Sequence, residues 1–142
     1  MTLVKTEDIT GFIPQRAPFV MVDSLVSREN SIARSNFQIK DDNILVEDGI
    51  FSVSGLLENI AQTAAANVGY ECSLNNIPVP IGFIGAISKV KVFDQVHVNT
   101  KIETSIEIKH EIFNITLIQG EVKQNGKTII SCEMKIMVEK TE

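Results

Sequence analysis

The chain has 142 residues, enough for one domain with a substantial core, and its 44% hydrophobic and 22% charged content is that of a globular protein rather than a disordered one. Its 13 Lys and Arg against 18 Asp and Glu give a net charge of −5 with no basic run, which excludes nucleic acid as a partner on electrostatic grounds. No apolar stretch reaches the roughly 20 residues of a membrane span. Met1–Asp8 lacks the apolar run of a secretion signal, so the expectation is a cytoplasmic chain that does not engage a membrane. Cys72 and Cys132 match no metal or redox spacing and are expected as reduced, buried thiols. No residue pattern argues for a metal or an organic cofactor. Without a linker or repeat, the chain is expected to form one domain over residues 1–142.

In chain order, Phe19–Val26 and Ala33–Ile39 are the first strand candidates. A helix follows within Gly49–Tyr70. Leu57, Ala61, Ala64 and Val68 recur at spacings of four, three and four, which predicts a buried seam. Ser52 or Ser54 can cap its start by accepting an orphan backbone N–H. Gly69, or Asn75-Asn76 ahead of Pro78 and Pro80, ends it. Ala64-Ala65-Ala66 would let a sheet wrap closely around it.

Everything after Pro80 reads as strand. Ile84 through Val92 begins the run. Ile102, Thr104, Ile106 and Ile108 then alternate with charged and polar residues at period two. Phe113–Val122 follows, and Asn125-Gly126 marks a type I′ hairpin, in which both positions take positive φ. Thr128, Ile130, Cys132, Met134, Ile136 and Val138 line one face of a last strand. The order predicts an α+β fold, one helix against one antiparallel sheet.

Two segments carry a family resemblance. Ile13-Pro14-Gln15-Arg16-Ala17-Pro18-Phe19-Val20-Met21-Val22-Asp23 is similar to the opening segment of the hotdog-fold 3-hydroxyacyl-acyl-carrier-protein dehydratases, with Gln15 where that family has His. Glu58-Asn59-Ile60-Ala61-Gln62 matches their helix motif Glu-x-x-x-Gln. Phe83–Val92 with Phe93-Asp94-Gln95-Val96 resembles their third strand and the turn after it. The His-Phe-Pro-Gly loop of the family is missing from Asn43–Ser54. The chain looks closest to a shorter branch, found in aryl polyene and flexirubin-like pigment clusters, which also lacks that loop and keeps the helix glutamate. The resemblance implies a single-domain hotdog fold, a curved antiparallel sheet wrapped around one long central helix. It further implies acyl thioesters on acyl carrier protein, pantetheine or CoA as ligands. The partner it implies is a second copy or a related hotdog subunit.

Among residues able to do chemistry, Glu58 is central. It borders the apolar seam, where a partly buried carboxylate can serve as general base or acid. Gln62, four residues on, can hold that carboxylate or the polar atoms of a thioester, and Gln15 is expected near a pocket mouth. Arg16 is expected to anchor its own segment beside the ligand. Leu57, Ala61 and Phe83 are the expected apolar walls, with Gly85 among the glycines that let backbone approach a ligand. His97 and His110 are read as surface strand residues. Three functions follow. A dehydratase on acyl-carrier-protein thioesters, in fatty acid or polyene biosynthesis, fits the resemblance. A thioesterase needs only Glu58 and an oxyanion donor. A non-catalytic partner subunit would account for the absent histidine.

Overall fold

Ser52 opens the one long helix of the chain: its Oγ accepts the Gly55 N–H at 3.0 Å, satisfying a donor that the first turn leaves unmatched. In the computed structural model, which describes residues 2–138, this helix, α1, runs over Val53–Leu74 and ends at Asn75. Gly69 does not end it. A Cβ at Gly69 would lie 2.3 Å from the Phe12 carbonyl oxygen, so the glycine lets the N-terminal segment cross the helix at close range.

Six strands form one antiparallel sheet around α1: β1 (Ser24–Glu29), β2 (Ile32–Ile39), β5 (Gly82–Val92), β7 (Thr100–Ile112), β8 (Ile115–Gln124) and β9 (Lys127–Val138). Their spatial order is β1-β2-β7-β8-β9-β5. Three two-residue strands, β3 (Val46–Glu47), β4 (Ile50–Phe51) and β6 (Val96–His97), make a small second sheet. The Asn125-Gly126 turn has φ of +52° and +79°, as a type I′ hairpin requires.

Paired positions place rows of side chains on one face. Ile106, Gly120 and Cys132 form one row, and Thr104, Val122, Ile130 and Val92 another. Most of these are buried under α1, with Ile60 at the centre of the core. A Cβ at Gly120 would lie 2.4 Å from Ile60 Cγ2, so β8 passes the helix where the sheet has no side chain. Cys72 and Cys132 are buried, unpaired thiols. Burial, with a smaller contribution from the Glu133 carboxylate, pushes the Cys132 thiol up to about 11.

Two sequence expectations are corrected. The first strand begins at Ser24 rather than Phe19, because Gln62 and Asn59 take the backbone groups of Phe19 and Met21 that a strand would have paired. The helix seam is also rotated. Leu56, Ile60, Ala64 and Ala66 are buried together with Asn59, Gln62, Thr63 and Asn67, while Leu57, Ala61 and Val68 are half-buried. The helix is covered by the sheet on one side and by the N-terminal segment on another, and the second cover supplies polar partners that an apolar pattern cannot reveal.

The two edges of the large sheet differ. Val4 pairs with Leu25 of β1 through hydrogen bonds of 3.0 and 3.1 Å, which covers that edge. β5 forms the other, and all of its residues are exposed. No helix among the described residues is long and apolar enough to cross a membrane.

Candidate functional site

A cavity of about 590 Å³ lies between α1 and the inner faces of β5, β7, β8 and β9. Glu58, Ala61 and Ala65 form its helix wall, and Ile108, Ile118 and Ile136 line its sheet side. Two segments frame it, Thr10–Arg16 and Val79–Ile84. The cavity exists because α1 carries alanines at 61, 64 and 65 where larger residues would close the gap to the sheet.

Glu58 is half-buried on this wall and has no hydrogen-bond or ion-pair partner among the described residues. Gln15 also lines the cavity, and its Oε1 is buried with no hydrogen-bond partner. Arg16 lines it too and fixes the turn, since its Nη1 donates to the carbonyls of Ile13 at 2.9 Å and Gln15 at 2.8 Å. Ala61 and Phe83 complete the set of expected residues that the fold brings together.

Three expected site residues lie elsewhere. Gln62 is fully buried off the cavity: its Oε1 accepts the Met21 N–H at 2.6 Å and its Nε2 donates to the Phe19 carbonyl at 2.8 Å. An amide held at both ends clamps the N-terminal segment to the helix. Leu57 packs against the core, and Gly85 sits at an irregularity in the β5–β9 pairing, both away from the cavity lining. His97 and His110 are exposed and off the cavity.

The apolar reading of the helix misses a polar stripe, Asn59, Thr63 and Asn67. Asn59 donates to the Met21 carbonyl at 2.7 Å and accepts from Thr104, and Thr63 pairs with Ser35 at 2.7 Å. Asn67 lines the cavity and accepts from Arg28. Their spacing of four was the available signal, since polar residues on one stripe of an apolar helix must find partners when buried.

A curved antiparallel sheet closed around one long helix, with an apolar cavity between them, defines a hotdog-fold protein. Solved structures agree. In the dehydratase heterocomplex ApeI:P from Xenorhabdus doucetiae, a chain with 12% identity superposes with a TM-score of 0.84, covering 94% of this chain and 91% of that one. The uncharacterised protein PH1136 from Pyrococcus horikoshii gives a TM-score of 0.69 at 12% identity, over 93% and 94%. A hypothetical thioesterase with coenzyme A from Streptococcus pneumoniae gives 0.65 at 11% identity, over 83% and 86%. Among curated proteins no sequence relative is found. The ApeP-like family model, described as ApeP dehydratase, matches residues 7–142, and the chain belongs to that family. Its function is therefore dehydratase-like, on acyl thioesters.

Proposed function

We propose that this chain is a cytoplasmic subunit of a hotdog dimer that removes water from 3-hydroxyacyl thioesters carried on acyl carrier protein, in fatty acid or polyene type biosynthesis. The observation that carries this reading is Glu58, a half-buried carboxylate without a partner on the wall of an apolar cavity. An apolar cavity with a few polar groups suits an acyl chain. In the reaction the base takes a proton from C2, the C2–C3 double bond forms, and the C3 hydroxyl leaves as water after receiving a proton. Glu58 can perform both transfers with one proton. A second group from a partner subunit would share the work, since the lining among the described residues includes no histidine. Each positioned acid–base group contributes typically about 10²–10⁴-fold.

The test presents purified protein with 3-hydroxyacyl and saturated acyl pantetheine thioesters. Loss of water from the first supports the dehydratase. Free acid released from the second favours a thioesterase in which Glu58 activates water. Binding without turnover favours a subunit that shapes the cavity for a catalytic partner. In the dehydratase, Glu58→Gln should lower turnover by at least about 10²-fold. Its melting temperature should stay equal or rise, because no ion pair is lost and a half-buried charge is removed. Intact turnover with lost stability would make Glu58 structural.

A further inference from the structure

Gln15 Oε1 is the one buried side-chain polar atom without a hydrogen-bond partner among the described residues. The residue lines the same cavity as Glu58. Buried acceptors are ordinarily matched, and an unmatched one costs free energy that a partner would recover. The turn that carries it is fixed, because the Arg16 guanidinium holds the backbone carbonyls of Ile13 and of Gln15 itself. An amide does not titrate near neutral pH, so its use in a cavity is recognition and not proton transfer. The torsion that turns a glutamine amide is broad, and a rotation about it presents Oε1 to a ligand.

The fold also sets where along the cavity this acceptor sits. Gln62 holds the Phe19 carbonyl, and Phe12 crosses α1 at Gly69. Gln15 lies between these two anchor points, which are one and three turns beyond Glu58, about 5 and 16 Å along the helix axis. Beyond Glu58 the helix contributes Ala61, Ala65 and Val68 to the lining, and the sheet across from it contributes Ile108 and Ile118. Walls of that kind suit methylenes better than the amides of a pantetheine arm. With the reacting carbons at Glu58, the acyl chain therefore runs toward Gln15.

We propose that Gln15 is a specificity residue, its Oε1 accepting a hydrogen bond from a hydroxyl borne on the distal part of the acyl chain, with Arg16 as its positioning residue. This rests on the acyl-thioester reading above and adds to it the kind of chain preferred. A plain alkyl chain leaves the buried acceptor unmatched, and a site built around a hydrogen bond rejects the analogue that lacks it.

The experiment measures affinities for pantetheine analogues in which an amide replaces the thioester, so that neither dehydration nor hydrolysis intervenes. Hexanoyl, octanoyl, decanoyl and dodecanoyl forms are compared plain, with a terminal hydroxyl and with a terminal methoxy group, in wild type and in Gln15→Met. Methionine is a flexible, unbranched replacement that lacks the amide. In wild type a terminal hydroxyl should tighten binding about tenfold at the chain length that reaches Gln15. A methoxy group, which donates nothing, should give no such gain. Gln15→Met should abolish the gain from the hydroxyl. Its affinity for plain chains and its melting temperature should stay equal or rise, since an unmatched buried acceptor is removed. No gain at any length in wild type overturns the assignment and leaves the acyl-thioester reading standing. A gain that persists in Gln15→Met, or that the methoxy group reproduces, overturns it too. Weaker binding of every analogue by the variant, with a lower melting temperature, makes Gln15 a structural residue and also overturns it. Binding of none of the analogues overturns the acyl-thioester reading itself.

Discussion

Asn59 and Gln62 face backbone groups of Phe19 and Met21 that no strand pairs, and their side chains take the place of a ladder. Replacing Gln62 by Leu would leave the buried Met21 N–H unmatched, at roughly 1–3 kcal/mol, while the Phe19 carbonyl, on a residue that is itself exposed, can turn to water. Urea unfolding should register a loss of about 1–3 kcal/mol. Unchanged stability together with lost turnover would instead put Gln62 in the chemistry. At this scale the sequence singles out Glu58, one of two charges in the helix and the one that borders its apolar seam. It could not separate Glu58 from Gln62, since residues four apart share a stripe and the docking of a distant segment decides which one meets a cavity. Asp23 gives a pH signature. Burial pushes its carboxyl above the ordinary 3.8, and the Gln38 N–H, Lys40 and Lys101 offset that only in part. Folding therefore favours the protonated form. That contribution is fully present below pH 3.8 and is lost as pH rises through the higher folded value. Asp23→Asn should accordingly gain on wild type between acid and neutral pH in unfolding midpoint. Parallel stability curves would show that burial does not govern this group.

At the scale of elements, glycines set how closely α1 is approached. Gly69→Ala would drive a Cβ to 2.3 Å from a backbone oxygen, which a side-chain rotation cannot relieve. A destabilisation of about 1–3 kcal/mol or more is expected by thermal melting, as for other overpacked sites. A change below 0.5 kcal/mol would mean that the Phe12 segment moves away freely. Strand alternation was legible for β7, β8 and β9 because each has one face on the core and one toward water. The helix seam was legible only in outline: Ala64 belongs to it, but Leu57, Ala61 and Val68 lie beside it, since a helix covered from two sides buries polar stripes along with apolar ones.

Across the whole molecule, the sheet has one covered edge and one open edge. β5 is exposed throughout, with Phe83, Ile84, Ile87, Val90 and Val92 unburied, and no charge occurs from Gly82 to Ile87. An apolar open edge invites pairing, and Ile81–Ile84 on this edge also line the cavity. The chain is therefore expected to sediment as a dimer at micromolar concentration. Phe83→Glu with Ile87→Glu should give a folded monomer, because both side chains are already 53% and 40% exposed. A stable, active wild-type monomer would sink this prediction. The open edge also has a consequence for synthesis. In the sheet β5 hydrogen-bonds only to β9, the last strand of the chain, so it leaves the ribosome with neither side paired and stays so until β7, β8 and β9 have been made. Its apolar residues then lie open to other nascent chains, and the cavity gains its β5 wall only once the C-terminal strand is in place.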